Sequence, residues 1–273
     1  MKIHPRPAGY VLLPRNREKR PTEICSTAPA SKRQNYSIFG PQFATFQVKP
    51  EICRQIMVIN LSEQHSLVSN WVSELRNVDV QTDRMRFRRN LERIGEIIAY
   101  EISKELPWEE AEIQTPLGTH SSKILSQQPV LMTILRAGLP LHQGMLNYFD
   151  KADNAFVSAY RKHHRDGSFE ISLEYMSSPS LDNCILIISD PMLATGASLV
   201  KTISLLQTEG KPSSIHVATA IASTIGIEYL HREIGEHVKI WCGDIDDELT
   251  AKGYIVPGLG DAGDLAFGAK TQS

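Results

Sequence analysis

The chain has 273 residues, 41% apolar and 22% charged, with a net charge of −2; this is an enzyme-sized globular composition with no electrostatic case for nucleic-acid binding by the whole protein. No apolar run approaches the roughly 18 residues of a membrane span, and the N-terminus lacks the apolar core of a secretory signal, so a cytoplasmic protein with no membrane partner is expected. The four cysteines, Cys25, Cys53, Cys184 and Cys242, are far apart and show no CxxC or His/Cys metal spacing; they read as free thiols, and no protein metal site is expected.

Residues 1–56 hold 10 Lys/Arg against 3 Asp/Glu, while residues 57–273 hold 19 against 28, so a basic segment of +7 precedes a body of −9. The leader also carries seven of the 15 prolines and no sustained apolar period, which predicts disorder. It reads as a loosely held basic tail, as an Arg-rich and acid-poor targeting peptide, or as the product of a start codon placed too early, with Met57 the true first residue. The last is preferred, because the ordered pattern begins directly after Met57.

From Thr82 or Asp83 a helix is predicted, since Phe87, Leu91, Ile94 and Ile98 recur at intervals of four, three and four with charges between them. A stretch with proline and glycine near Pro107 to Gly118 follows. Then come apolar runs of strand length at Val130 to Leu135, Ala155 to Tyr160, Cys184 to Ser189, Ile215 to Ala222 and Val238 to Cys242. Helices are expected between them at about Leu139 to Phe149, Ser198 to Glu209, stopped by Gly210, and Thr224 to Glu233. Near-continuous apolar strands alternating with helices imply an α/β fold, a mostly parallel sheet flanked by helices on both faces. Two segments break the rhythm. Tyr160 to Tyr175 is polar and turns at Asp166-Gly167, which predicts a projecting β-hairpin. Asp244 to Gly268 is too rich in Gly, Asp and Pro for a regular element, yet carries Tyr254, Ile255, Val256, Leu259 and Phe267, and reads as an ordered functional loop.

The segment CILIISDPMLATGASLVKTISLL is a buried strand, a loop of small residues and an amphipathic helix. Ligands gather at the carboxyl ends of strands in open α/β sheets, and helix N-termini favour anions. Thr195, Gly196, Ala197 and Ser198 are therefore placed to cradle a phosphate, and Asp190 to accept from sugar hydroxyls. The spacing alone is equally consistent with Asp-Pro ending a strand and Ser198 capping a helix.

The residues themselves carry a resemblance. SDPMLATGAS resembles the phosphoribosyl pyrophosphate (PRPP) loop of the uracil phosphoribosyltransferase family, which has Asp-Pro where other phosphoribosyltransferases have two adjacent acids. GYIVPGLGDAGDLAFG, from Gly253 to Gly268, is similar to the uracil-binding segment of the same family almost along its length. The likeness runs from about His65 to Gly268 and excludes the leader; it departs at Ala197, where the family often has Gly, and in the hairpin RKHHRDGSFEISLEY, which is more acidic in several relatives.

The resemblance implies a Rossmann-like phosphoribosyltransferase fold whose residues 244–268 form a hood over the base. It implies that Arg136 (in TILRAGLPL), Arg161 (in SAYRKHH), Asp190, Pro191, Met192, Leu193, Ala194, Thr195, Gly196, Ala197, Ser198 and Asp261 bind PRPP. Ile255, Gly260, Asp261 and Ala262 would bind uracil, and Asp261 would be the catalytic residue. His163 and His164 read as solvated hairpin residues. The expected reaction joins uracil to PRPP, giving UMP and diphosphate, with Mg²⁺ carried mainly by the diphosphate substrate. A homodimer or higher homo-oligomer and, in some members, GTP activation are also implied. The alternative is a non-catalytic UMP-binding regulatory module of the same fold, which would have no need to keep every diphosphate-handling group.

Overall fold

The computed structural model describes residues 57–270 except 164–168 and 236. The leader, Cys25, Cys53, His164 and the Asp166-Gly167 turn lie outside the described residues.

Strand β1 (Val58–Asn60) opens the body. After a short 3-10 turn come α1 (Leu67–Arg76) and α2 (Arg84–Ser103). The α2 start is fixed chemically, because the Asp83 carboxylate accepts from the Met85 and Arg86 N–H groups and satisfies donors that have no partner inside the helix. Phe87, Leu91, Ile94 and Ile98 are all buried along one side, as their spacing requires. The stretch after α2 differs from expectation: it forms β2 (Trp108–Thr115) and β3 (Gly118–Leu125), an antiparallel pair that joins no other strand among the described residues. Its Leu117 tip is fully exposed.

The core then follows as β4 (Val130–Leu135), α3 (Leu139–Leu146), β5 (Asp153–His163), β6 (Phe169–Ser177), β7 (Ile185–Ser189), β8 (Met192–Leu193), α4 (Ala197–Glu209), β9 (Ser214–Ser223), α5 (Thr224–Ile234) and β10 (Val238–Asp246). The sheet order is β1-β10-β9-β7-β4-β5-β6, with β8 beside β9, and all pairings are parallel except β5 with β6. The predicted hairpin is this antiparallel pair, with a register shift between Ser158 and Ala159. Along β4 and β7, residues alternate between two cores. Leu131, Ile185 and Ile187 face α1, α2 and α3, while Val130, Met132, Leu186 and Ile188 face α4 and α5. Burial on both faces explains the unbroken apolar runs. Cys184 and Cys242 are buried, and burial pushes both thiols up.

The last segment is more regular than its composition suggests. β11 (Glu248–Leu249) pairs with β12 (Ile255–Val256), and a one-and-a-half-turn helix, α6 (Ala262–Phe267), ends it. No helix among the described residues is long and apolar enough to cross a membrane.

Candidate active site

Because β4, β7, β9 and β10 run parallel, the residues that follow each of them emerge along one edge of the sheet, where open α/β folds bind ligands. Asp190 follows β7. The Pro191 carbonyl accepts from the Ala220 and Ile221 N–H groups, and the Leu193 N–H donates to the Thr219 hydroxyl, so the loop is stitched to β9 along its length. The Ser223 hydroxyl donates to the Ala194 carbonyl at 2.5 Å. Gly196 then caps α4 at φ +77°, a left-handed conformation that side chains disfavour, and a Cβ there would lie 2.9 Å from the Gly226 carbonyl. Thr195 Oγ1 accepts from the Ala197 N–H at 3.4 Å. Asp190, Met192, Leu193, Ala194, Thr195, Gly196 and Ser198 line one open pocket at the N-terminal end of α4, where helix N–H groups favour an anion. α4 begins at Ala197, one residue before the expected start. Thr219 and Ser223, which hold the loop in place, were not singled out from sequence; two hydroxyl residues within the mostly apolar stretch Val217 to Ser223 are the signal for them.

Arg136 follows β4 and reaches the C-terminal segment. Its guanidinium donates to the Asp264 carboxylate at 3.0 Å and to the Gly268 carbonyl at 2.9 Å. Arg136 and the Gly253 to Gly268 segment, 128 to 132 residues apart in the chain, thereby meet at one edge. Arg161 lies on β5 opposite Ile171; its side chain, like that of His163, is outside the described residues.

Asp261 is the N-cap of α6: its Oδ1 accepts from the Asp264 N–H at 3.0 Å, and its Oδ2 pairs with Lys270 at 3.2 Å. Partial burial pushes this carboxyl up, but the Asp264 N–H and the Lys270 ammonium outweigh it and hold Asp261 below the usual carboxylate range. Ile255 and Ala262 are buried, and Gly260 is exposed at φ +94°. The Ile255 side chain points into the core with Leu259 and Ala266, so any contact Ile255 makes outside is through its backbone.

One residue absent from the sequence reading anchors this segment. Arg76, at the end of α1, forks onto both oxygens of Asp246 at 2.7 and 2.9 Å, onto Asp244 at 2.9 Å and onto the Gly258 carbonyl at 3.0 Å. Burial works against the guanidinium charge, and the bonds to Asp246 and Asp244 more than restore it.

A sequence model of the family described as uracil phosphoribosyltransferase matches residues 62–269. A curated uracil phosphoribosyltransferase of Porphyromonas gingivalis is 50% identical over 213 residues, covering 78% of this chain and 99% of that protein. The chain belongs to the uracil phosphoribosyltransferase family. A curated family member from Methanothermobacter thermautotrophicus is 39% identical over 188 residues, covering 68% of this chain and 85% of its own length. Among solved structures, the AQ2163 protein of Aquifex aeolicus superposes with a TM-score of 0.70 at 30% identity, over 79% of this chain and all of that one. The chain is thus a phosphoribosyltransferase by family and has the mostly parallel, helix-flanked sheet expected. The family match takes in both motifs, Arg136, Arg161 and Arg76.

Proposed function

We propose that this chain transfers the phosphoribosyl group of PRPP to N1 of uracil, releasing diphosphate and forming UMP in pyrimidine salvage. The observation that carries the reading is the Arg136 bridge, because it brings the strand-end arginine to the same edge as the uracil-type segment. In this reading Thr195, Gly196, Ala197 and Ser198 hold the 5′-phosphate and Asp190 accepts from the ribose hydroxyls, with Pro191 to Ala194 shaping the loop. Arg136 and Arg161 grip the departing diphosphate, for which a planar guanidinium is suited. Backbone groups of Ile255, Gly260 and Ala262 meet the acceptor, donor, acceptor edge of uracil. Cytosine would leave buried groups unpaired, a mismatch worth roughly 10⁴-fold.

The bond to diphosphate breaks through an oxocarbenium-like state as uracil N1 attacks from the opposite face and gives its proton to the departing diphosphate or water, with no covalent enzyme intermediate. The protein contributes position and charge. Asp261 is a poor proton acceptor at neutral pH because its carboxyl is held low, so a fixed negative charge that orients substrate suits it better than a general base. Asp190 and Asp261 are hard oxygen donors of the kind Mg²⁺ takes, and they fit an ion held chiefly by substrate phosphates and water. Bound there, Mg²⁺ would neutralise charge on the diphosphate.

The family match begins at residue 62, which supports placing residues 1–56 outside the transferase domain. A cytoplasmic location, self-association and a GTP effector belong to the same reading. The test is steady-state UMP formation from uracil and PRPP with Mg²⁺, with and without GTP and with cytosine and hypoxanthine as competitors. Uracil-specific turnover upholds the proposal; UMP binding without turnover replaces it with the regulatory module.

A further inference from the structure

We infer that Arg76 is a positioning residue for base recognition, an inference that rests on the reading of residues 255–262 as the uracil-binding segment. Gly258 sits in the middle of that segment at φ +55°, a left-handed conformation that glycine adopts without steric cost. Both of its backbone groups are held. Its carbonyl accepts from Arg76 Nη1 at 3.0 Å, and its N–H donates to Asp246 Oδ2 at 3.0 Å. Asp246 is itself buried, 8% exposed, and is neutralised by the bidentate contact from Arg76. Asp244 holds the other edge of the guanidinium.

The consequence is local and directional. The Gly258 N–H belongs to the peptide shared with Pro257, and its carbonyl belongs to the peptide shared with Leu259. Fixing both stops either peptide from rotating, and a rotation would exchange a donor for an acceptor on the loop. Uracil and cytosine differ by that kind of exchange along one edge. A loop that reads bases with its backbone needs each peptide locked in one sense, and Arg76 supplies the lock from a helix 182 residues away in sequence. Its partners on β10 are part of the rigid sheet, so the loop takes its register from the core.

The test uses the full chain. Arg76→Lys keeps the charge and loses the fork. Its KM for uracil should rise about tenfold or more, its KM for PRPP should stay within about twofold, and its uracil over cytosine ratio of kcat/KM should fall about tenfold. Asp244→Asn removes the charge of one leg on a partly exposed carboxylate and should raise the uracil KM by about threefold; it serves if Arg76→Lys fails to fold. A lowered melting temperature with unchanged uracil KM and base discrimination would make Arg76 structural only and overturn the inference. Failure of the underlying reading gives a different pattern. Gly260→Ala, where a Cβ has room but the φ of +94° is strained, would then leave the uracil KM of the active enzyme unchanged.

Discussion

Asp261 caps a helix and, in the proposed mechanism, also supplies charge to catalysis, and one substitution separates the two. Its Oδ1 caps α6 through the Asp264 N–H, and its charge faces Lys270 and the site edge. Asparagine caps a helix about as well as aspartate, whereas alanine costs about 1 kcal/mol. The Lys270 pair is partly exposed on both sides, with side chains 47% and 31% accessible, so its loss costs little. Asp261→Asn should therefore melt within about 1 °C of the parent, and Asp261→Ala roughly 2–4 °C lower for a body of this size. On the proposed mechanism turnover should fall about 100-fold or more in both, because both remove the charge that it places beside the transition state. The assay is steady-state UMP formation at saturating substrates, paired with thermal unfolding of the same samples. If Asp261→Asn kept turnover within about threefold, the charge would be irrelevant to catalysis and Asp261 would be a cap alone.

If Arg136 grips the diphosphate as proposed, Arg136→Lys loses the two parallel bonds and should raise the KM for PRPP about tenfold, equivalent to about 1.4 kcal/mol; initial-rate kinetics with an unchanged value would remove Arg136 from that role. His216 is 3% exposed and accepts from the Trp241 indole N–H at 3.2 Å, and burial first, then Lys239 and against Glu105, lowers its pKa to about 4. Between that value and the unfolded value near 6.5 the unfolded chain binds the extra proton, so stability is fully present above about pH 6.5 and falls as the pH drops toward 4, by on the order of 3 kcal/mol. Denaturant unfolding across that window should show the slope, and His216→Gln should flatten it; equal slopes would refute the assignment. Gly144→Ala should cost about 1–3 kcal/mol by overpacking, since an added Cβ would collide with the Glu92 carbonyl of α2 and lie 2.9 Å from the Glu96 nitrogen. Unfolding at a parental midpoint would contradict this.

The central sheet was legible because both of its faces are buried. The run Val130 to Leu135 is β4 to the residue, and the four-three-four spacing placed α2 within a residue or two of its observed start. The β2–β3 hairpin was not legible, because neither face is covered: most of its residues are exposed, and without a buried side there is no alternation to read. β11, β12 and α6 span two, two and six residues, shorter than any period needs to show itself. In the site, the phosphate loop and Arg136 stood out through neighbouring residues in the chain. Arg76 could not, since its partners lie 168 to 182 residues onward; the acids of Asp244 and Asp246 closing an apolar strand hint that a cation must meet them, but not which one.

The pairing of β1 with β10 bears on how the protein is made. The first strand of the body closes the sheet only against one of the last, and the Arg76 fork likewise waits for Asp244, Asp246 and Gly258. On the ribosome α1 and α2 emerge early, and although α2 meets α3 midway, the part of their apolar face that packs on Trp241, Leu259 and Ala266 waits until almost the whole chain has been synthesised, a state prone to association. A message truncated before β10 would yield a polypeptide bearing the phosphate loop but lacking the edge that seals it.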